Sequence, residues 1–392
     1  MTPSARVQAA IELLDQVIAA AKSEGAPADR LISAYFKQRR YAGSKDRRAV
    51  RDLVYSAIRH CGEVPVSGRA AMLSLAQSDE ALVPLFDGST HGPAAIGGNE
   101  VVAQAGVAPA WLVKALAKSG IEGEAAQAML DRAPLDIRVN ALKVDRATIE
   151  LPEAGEPLDA PQGLRLPAGT PVEQWEAYRS GQIEVQDHGS QLASLAAAAR
   201  AGETVIDLCA GAGGKTLALA AAMENRGRLI ACDTDRRRLS QLAPRAERAG
   251  AGMVETLELN PNREMEALFD LQATADLVVV DAPCSGTGTW RRKPEAKWRL
   301  TPDRLSRFTA LQDHVLDLAA QLTRPGGRIT FITCSLLDAE GADRIEAFLA
   351  RHAGWRAEQP DLPLGTPRGQ GIRLDPYRHG TDGFFVASLR SS

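Results

Sequence analysis

The sequence has little that would mark a disulfide-stabilised or zinc-binding protein. Its 392 residues include five cysteines, an odd number, and no two of them form a Cys-x-x-Cys pair. This pattern argues against both a disulfide framework and a structural zinc site. We therefore expect reduced thiols, as in a cytosolic protein, and no metal centre.

The chain also lacks a strong net charge and a long apolar run. The formal net charge is −3, so composition alone carries no basic signature. Glu12 and Asp15 fall within the first helical pattern, where a signal peptide would have an apolar core. The alanine-rich stretch 192–201 is too short and too weakly apolar to cross a bilayer. We expect a soluble, cytoplasmic protein without a membrane partner.

Positive charge is nevertheless concentrated in two segments. The first contains Lys37, Arg39, Arg40, Lys45, Arg47, Arg48 and Arg51. The second contains Arg291, Arg292, Lys293, Lys297 and Arg299. Neutralising phosphates gives sequence-independent affinity, so such clusters suit a polyanion. A solvated helix face is the favoured interpretation of the first cluster, and polyanion binding that of the second.

Apolar periodicity and glycine and proline content predict three domains. Residues 1–95 show helical spacing, and a glycine- and proline-rich linker follows them. Residues 96–185 are predicted to hold two short helices, 111–118 and 124–132, and a strand at 135–144, with proline and glycine breaking up 152–171. From residue 186 to 392, strands alternate with helices, which favours an α/β, doubly wound, mainly parallel sheet. The predicted strands are 204–208, 228–232, 253–257, 277–281, 328–333 and 384–389, and the helices include 236–249, 302–322 and 339–351.

A glycine-rich turn follows the first of these strands. Asp207–Thr216 ends in Gly-Lys-Thr, but Cys209 stands where a P-loop needs glycine, and the spacing of a dinucleotide fingerprint is absent. The three glycines of the turn would let backbone approach a ligand at a helix N-terminus. Asp233, at the end of the next strand, could accept hydrogen bonds from ribose hydroxyls. This arrangement fits an adenosyl ligand without a pyrophosphate, and S-adenosylmethionine is the predicted cofactor.

Two cysteines each follow an apolar strand. Cys284 stands in Asp-Ala-Pro-Cys-Ser-Gly, and Cys334 stands in Thr-Cys-Ser. Reactive groups of open α/β sheets lie at the carboxyl ends of the strands, so we expect both thiols to be functional. We expect Cys61, Cys209 and Cys232 to be small buried hydrophobic residues instead.

A thiolate at such a site could activate cytosine. Carbon 5 of this base is a poor nucleophile, but addition of a thiolate to carbon 6 converts the ring into an enamine. A free cysteine has a pKa of about 8.5, so we expect the site to lower the thiol pKa. Lys215, or the basic segment after Cys284, could do this. Asp281 is placed to hydrogen-bond the polar edge of the ring.

Together these motifs resemble the RNA cytosine-5 methyltransferases of the RsmB/Nop2/Sun family. The resemblance rests on DLCAGAGGKT, DAPCSGTGTWRRKPEAKWR, TCS and DGFFVASL, and extends upstream to residues 138–140 and 181–187. Residues 1–95 resemble the NusB-like domain of small-subunit ribosomal RNA methyltransferases in this family. The resemblance implies a NusB-like RNA-binding domain at 1–95, linker helices and a small α+β RNA-contact subdomain at 96–185, and a Rossmann-like methyltransferase domain at 186–392.

The resemblance also implies roles for individual residues. Cys334 would be the nucleophile, Cys284 would assist elimination and product release, and Asp281 would complete the catalytic set. The implied cofactor site consists of Cys209, Ala210, Gly211, Ala212, Gly213, Gly214, Lys215, Asp233, Asn260 and Asp281. Arg138, Asn140 and Asp187 would contact RNA or support the active site. The implied partner is RNA, with ribosomal RNA as the expected class, and we expect a monomer.

The sequence departs from the family pattern at three places. The turn reads Ala-Gly-Ala-Gly-Gly-Lys where the family has Ala-Pro-Gly-Gly-Lys, so the fixed φ of proline is lost. The acidic residue expected after the third strand is replaced by Asn260, or by Asn262 in an alternative alignment. The usual Glu-Glu-Asn after Thr-Cys-Ser becomes Ala339-Glu340-Gly341.

Three alternatives remain open at this point. The same reaction could act on transfer RNA, which the divergent N-terminal segment does not decide. The chain could be a non-catalytic RNA-binding assembly factor, although both thiols and the complete Gly-Gly-Lys turn argue against this. A methyltransferase acting on protein or a small molecule would need neither cysteine.

Overall fold

A computed structural model of the chain describes residues 1–23 and 25–392. These residues form two compact units, one of 1–131 with 289–301 and the other of 132–288 with 302–392. The first unit therefore includes a short segment that follows the Cys284 motif in the chain. The three-domain division by sequence stays a prediction.

The helices and strands have the following bounds. The helices are α1 (Pro3–Lys22), α2 (Ala28–Gln38), α3 (Ser44–His60), α4 (Gly68–Ser78), α5 (Ala110–Lys118), α6 (Gly123–Ala128), α7 (Glu176–Arg179), α8 (His188–Leu195), α9 (Gly214–Ala222), α10 (Arg236–Leu239), α11 (Leu242–Ala249), α12 (Glu264–Leu268), α13 (Ala296–Arg299), α14 (Pro302–Leu322), α15 (Ala342–Arg351) and α16 (Pro376–His379). The strands are β1 (Leu135–Val139), β2 (Glu156–Pro157), β3 (Gly163–Leu166), β4 (Ile183–Val185), β5 (Thr204–Asp207), β6 (Arg228–Asp233), β7 (Val254–Glu258), β8 (Ala275–Asp281), β9 (Thr323–Thr333), β10 (Trp355–Glu358), β11 (Thr366–Arg368), β12 (Gly371–Leu374) and β13 (Phe384–Ser391).

The N-terminal part of the first unit is helical, as predicted. Thr2 caps α1 by accepting a hydrogen bond from the backbone of Ala5, and Ser67 caps α4 in the same way. The apolar residues of α1 that recur at helical spacing are buried in one core, which also includes Trp298 of α13. Segment 289–301 thus contributes to the core of this unit. Resemblance to a NusB-like domain stays a prediction.

The second basic cluster is less exposed than its sequence predicts. Lys297 is 0% exposed, and its Nζ donates to the carbonyls of Arg59 at 3.1 Å and Val107 at 3.0 Å. Arg291 is also buried, and only Arg292 and Lys293 of this cluster are exposed. Charge counting failed for Lys297 and Arg299 because their side chains hydrogen-bond backbone carbonyls inside the unit. The first cluster is exposed apart from Arg39, which stacks on Tyr35.

The second unit begins with a small antiparallel sheet of order β2-β3-β1-β4. The strand predicted at 135–144 ends at Val139, because Asn140 turns the chain. Nδ2 of Asn140 donates to the carbonyls of Gly181 at 2.9 Å and Ala249 at 2.8 Å. The segment 152–171, predicted to be broken by proline and glycine, contains β2 and β3, which are too short for a period-two pattern to reveal.

The main sheet has the order β11-β12-β13-β9-β8-β5-β6-β7, with β10 paired to β13. Strands β5 to β9 are parallel, and the strands from β10 onward add an antiparallel edge. All six predicted strands are present, which confirms the doubly wound, Rossmann-like α/β prediction. The apolar strands β5 and β8 are buried on both faces, as expected of central parallel strands.

Two predicted helices differ from the observed ones. The helix predicted at 236–249 is divided into α10 and α11, since Pro244 lacks an amide and its ring disfavours a helical carbonyl four residues earlier. The helix predicted at 339–351 begins only at Ala342, after a 3-10 turn at Asp338–Glu340. None of the helices in residues 1–23 and 25–392 is long and apolar enough to span a membrane.

Candidate active site

The predicted site residues gather at one edge of the main sheet. Strand β5 lies between β6 and β8. Strands β6 and β7 extend the sheet on one side of β5, and the chain then returns to add β8 and β9 on the other side, so the strand order reverses at β5. Ligands of open α/β sheets bind beyond the carboxyl ends of the strands at such a reversal of strand order. The glycine turn follows β5, and the two thiols follow β8 and β9.

Backbone conformation explains the glycines of the turn. Gly211 and Gly213 have φ values of +57° and +86°, which disfavour a side chain. A Cβ on Gly213 would also lie 2.1 Å from Cδ1 of Leu242. Ala212 is not among the described non-glycine residues with positive φ, so loss of the family's proline does not strain the turn.

The turn leaves room for a ligand at the start of α9. Gly214 is the first residue of this helix, and apart from its chain neighbours and the backbone of its own helix, no atom lies within 4 Å of the position that its Cβ would take. The unpaired amides of a helix N-terminus favour a negatively charged group such as the carboxylate of a methionyl moiety. The residues present therefore fit S-adenosylmethionine at this end of the turn.

Asp233 ends β6 and holds the glycine turn in place. Its Oδ2 accepts a hydrogen bond from the backbone amide of Gly211 at 2.7 Å, and its Oδ1 accepts one from Asp235 at 2.7 Å. Each carboxylate oxygen can accept a second bond. The side chain that we expect to bind ribose thus also fixes the conformation of the turn, a role that the sequence analysis missed.

The structure separates the two asparagines that follow β7. Asn262 has a φ of +63°, and its backbone amide donates to Glu264, so it forms a turn. Asn260 is exposed and its carbonyl accepts from the amide of Arg263. Both side chains are exposed, and the assignment of the cofactor contact to Asn260 stays a prediction.

Lys215 and Asp281 connect the glycine turn to β8. Nζ of Lys215 lies 2.8 Å from Oδ2 of Asp281. Burial by itself lowers the pKa of Lys215, but the charge and hydrogen bond of Asp281, together with Cys334 and Asp207, outweigh it, and the net pKa is raised. The lysine is therefore a fixed positive charge beside the glycine turn at neutral pH.

The two thiols lie side by side. The sulfur atoms of Cys284 and Cys334 are 3.4 Å apart, and both residues are half-buried. Parallel pairing of β8 with β9 aligns Asp281 with Ile332, so the segments that follow the two strands begin next to each other. The amide of Gly288 donates to the carbonyl of Cys334 at 3.0 Å, which closes the loop after Cys284 against it.

The DGFF motif, residues 382–385, contacts the loop that follows Cys284. The amide of Gly383 donates to the carbonyl of Gly288 at 2.8 Å. A Cβ on Gly288 would lie 2.1 Å from the carbonyl oxygen of Gly383, so the two backbone segments can approach each other only because both residues are glycine. The motif thus shapes the thiol loop rather than supplying a reacting group.

The thiol environments differ from the prediction in one respect. The pKa of Cys284 is raised well above its usual value, mainly because its thiol is hydrogen-bonded to Cys334 and also because it is buried. The expectation that the site lowers thiol pKa values is therefore wrong for Cys284. Burial likewise raises the pKa of Cys209 and of Cys232. Cys61 and Cys232 are fully buried, as predicted, and Cys209 is only partly so.

Arg138, Asn140 and Asp187 are buried and bonded to the protein itself. Nε of Arg138 donates to Gln186 at 2.6 Å, and Asn140 holds the two carbonyls already described. Asp187 caps α8 and accepts from the amide of Asp382 at 3.2 Å. Of the two roles that the sequence left open, these contacts favour support of the site over contact with RNA.

Sequence reasoning missed Glu340 and Gln312. Both side chains are fully buried behind the thiol loops and are hydrogen-bonded to them. The only available signal was the surviving glutamate of the altered Glu-Glu-Asn segment. Within the described ranges, no cluster of three or more His, Cys, Asp and Glu side chains is arranged for a metal ion.

Comparison with known proteins places these motifs in a family. The model of the 16S rRNA methyltransferase RsmB/F family matches residues 194–390. The probable ribosomal RNA small subunit methyltransferase B of Bacillus subtilis is 30% identical, with 72% of this chain and 66% of the relative covered. The ribosomal RNA small subunit methyltransferase B of Xylella fastidiosa strain 9a5c is 34% identical, with 72% of this chain and 68% of the relative covered. That of Thermus thermophilus is 39% identical, with 53% of this chain and 50% of the relative covered.

The chain thus spans between half and about two thirds of the length of these curated relatives. The fold is shared with the crystal structure of PH0851, with a TM-score of 0.74, 24% identity and 99% of each chain covered. The matched segment 194–390 contains the glycine turn and both thiol motifs. This chain belongs to the RsmB/F family of methyltransferases.

Proposed function

We propose that this chain transfers a methyl group from S-adenosylmethionine to carbon 5 of a cytosine in small-subunit ribosomal RNA, through a covalent adduct of Cys334 with carbon 6. The observation that carries the proposal is the 3.4 Å separation of the Cys284 and Cys334 sulfur atoms beside the glycine turn. Other methyltransferases that act on protein or small molecules need neither thiol. The names of the curated relatives support ribosomal RNA as the substrate.

Membership in a methyltransferase family supports S-adenosylmethionine as the cofactor. The turn residues Cys209, Ala210, Gly211, Ala212, Gly213, Gly214 and Lys215 would hold it, together with Asp233, Asn260 and Asp281. When bound, it supplies an electrophilic methyl group. The protein's part is to present the amides at the start of α9, the Asp233 carboxylate and the Lys215 charge in a fixed arrangement.

Cys334 carries the nucleophilic step. Its thiolate adds to carbon 6 of the cytosine, and the resulting enamine places electron density on carbon 5. Asp281 ends the neighbouring strand β8, is half-exposed and pairs with Lys215, so its carboxylate can accept a hydrogen bond from the ring's amino group. These contacts hold the base and orient carbon 6 toward the sulfur.

Cys284 serves the step that ends the reaction. After methylation, a water molecule takes the proton from carbon 5, the electron pair of that C–H bond re-forms the double bond between carbons 5 and 6, and the bond from carbon 6 to the Cys334 sulfur breaks, with its electrons leaving on sulfur. The raised pKa of Cys284 keeps this residue a thiol at neutral pH. Its S–H group lies within hydrogen-bond distance of the sulfur that departs, and donation to a developing thiolate favours its departure.

The target cytosine must leave any stack to reach two half-buried thiols. An unpaired loop, or a ribosomal RNA before full assembly, meets this requirement most readily. We propose that the helical N-terminal domain adds affinity and substrate choice without taking part in the chemistry. Ribosomal RNA as the substrate would place the protein in the cytoplasm.

The reaction is tested with purified protein, unmodified small-subunit ribosomal RNA and methyl-labelled S-adenosylmethionine, followed by nucleoside analysis. We expect the label in 5-methylcytidine, with none when the Cys334→Ala variant replaces the wild type. Transfer RNA transcripts are assayed in parallel. Label in transfer RNA alone would reject the substrate assignment, and label in any other nucleoside would reject the chemistry.

A further inference from the structure

Glu340 is a buried charged group that the proposed reaction does not use. It ends the 3-10 turn Asp338–Glu340, five residues beyond Ser335, and its side chain is 0% exposed. A carboxylate withdrawn from water is costly unless its oxygens are hydrogen-bonded. Its partners therefore indicate what its burial achieves.

The carboxylate binds both thiol-bearing segments at once. Its Oε1 accepts from the backbone amide of Ser285 at 2.8 Å, and its Oε2 accepts from Oγ of Ser335 at 2.6 Å and from Oγ of Ser285. Ser285 directly follows Cys284, and Ser335 directly follows Cys334. One side chain thus ties together the residues next to the two sulfur atoms.

Gln312 of α14 extends this connection to the other side of Cys284. Its Nε2 donates to the carbonyl of Pro283 at 2.9 Å and to Oε1 of Glu340 at 3.2 Å. Gln312 is also fully buried. Cys284 is therefore held through both of its neighbours, Pro283 and Ser285, while the residue itself is half-buried.

We propose that Glu340 is a positioning residue that sets the separation between the sulfur atoms of Cys284 and Cys334. This inference rests on the proposed function, which gives both thiols a part in one reaction. Four hydrogen bonds use the full acceptor capacity of the carboxylate, so only one arrangement of the two segments satisfies it. A fully bonded polar network in a buried site is rigid, and a small displacement of reacting groups lowers rates steeply.

The spacing is measurable without RNA or methyl donor. A trivalent arsenical binds tightly only where two thiols can bond to the same arsenic atom, so the affinity for phenylarsine oxide reports on the pair. We expect a tight one-to-one complex with the wild-type protein. Cys284→Ala and Cys334→Ala should each lose it, since either leaves a single thiol at the site.

Two substitutions at position 340 separate positioning by hydrogen bonds from a requirement for negative charge. Glu340→Ala frees both segments, and we expect its arsenical affinity and its kcat to fall by at least about tenfold while KM changes little. Glu340→Gln keeps an acceptor for the Ser285 amide and the shape of the side chain, so both quantities should stay within about threefold of wild type. Recovery by glutamine would not be expected if position 340 merely required a charge.

A matched control loses a well-bonded carboxylate elsewhere. Glu203 precedes β5 at the opposite end of the strands and pairs with Arg328 at 2.7 Å. Glu203→Ala should bind the arsenical like the wild type at temperatures where it is folded. If Glu340→Ala does not fold, Ser335→Ala removes the Glu340 bond on the Cys334 side, together with the contacts of the Ser335 hydroxyl to Thr287 and to the Leu337 amide, and should weaken binding in the same direction.

Wild-type arsenical affinity in both Glu340→Ala and Ser335→Ala would overturn the assignment, as would a wild-type protein that binds no arsenical. The proposed function fails in a different way. If the arsenical series behaves as expected but no RNA is methylated, the positioning role stands and the cytosine reaction is rejected.

Discussion

Lys215 and Asp281 form an ion pair, with 2.8 Å between Nζ and Oδ2, that joins the glycine turn after β5 to the end of β8. The pair connects the predicted cofactor site to the strand that leads into Cys284. Because its pKa is raised, Lys215 stays charged across the neutral range. One interaction therefore serves both halves of the active site.

Removing the lysine should damage both halves. In Lys215→Met, Asp281 is left without its partner, and we expect kcat/KM to fall by at least about 100-fold, or ~2.7 kcal/mol. Steady-state methylation assays at saturating RNA and varied methyl donor measure the change. Lys143→Met is the matched control, since Lys143 is exposed and bonds only to backbone carbonyls among the contacts described. A Lys215→Met enzyme within threefold of the control would contradict this role.

Loss of the nucleophile should nearly abolish turnover. We expect Cys334→Ala to lower the single-turnover rate by at least about 1,000-fold, roughly 4 kcal/mol of transition-state stabilisation. Cys61→Ala provides a thiol control in the other unit, where Cys61 is fully buried. Near-normal single-turnover methylation by Cys334→Ala would show that another group attacks the base.

Loss of the second thiol should arrest the reaction after attack. In Cys284→Ala, Cys334 still adds to carbon 6, but no neighbouring S–H assists departure of the sulfur. We expect a protein–RNA adduct that survives denaturing electrophoresis in the presence of methyl donor. The double variant Cys284→Ala/Cys334→Ala should show no adduct, and an adduct in that variant would mean that neither thiol forms the bond.

Buried Lys297 should make the stability of the first unit depend on pH. Burial lowers the pKa of Lys297 from its usual 10.5 to about 7, with Cys61 opposing and Arg59 reinforcing the shift. Between these two values the unfolded state binds the extra proton, so the free energy of unfolding rises with pH, by up to about 1.4 kcal/mol per pH unit.

Lys297→Met tests this dependence. Loss of the hydrogen bonds to two carbonyls changes the free energy of unfolding by an amount that does not depend on pH. Loss of the titrating amine removes the contribution of Lys297 to the dependence of that free energy on pH. Between pH 7.5 and 9, denaturant titrations should show wild type gaining about 2 kcal/mol more than the variant. Equal pH slopes in the two proteins would mean that Lys297 keeps its charge in the folded state.

The sequence predicted the main sheet well because its strands are buried and apolar. Strands β5, β6, β8 and β9 lie within a few residues of the predicted bounds, and α14 has the predicted bounds. Their apolar runs are long enough for the pattern to be distinctive. The small strands β2 and β3 have two and four residues, too few for any periodicity, so they were missed.

The sequence also predicted which segments meet, but not how they are held. Motifs that follow parallel strands must meet at one edge of the sheet, and this rule predicted that Cys284, Cys334 and Lys215 lie close together. The contacts of Glu340 and the burial of Lys297 depend on tertiary packing that local pattern does not encode. Both are charged residues, and charge alone predicted an exposed position for Lys297.

Bisulfite sequencing of total RNA from cells with and without the gene tests the central claim most directly, because 5-methylcytosine resists conversion. The account predicts one small-subunit ribosomal RNA cytosine that is protected in the wild type and converted in the deletion strain. Re-expression of the wild-type protein should restore protection, and Cys334→Ala should not. Unchanged protection throughout ribosomal RNA, in cells without a second enzyme for the same site, would contradict the account.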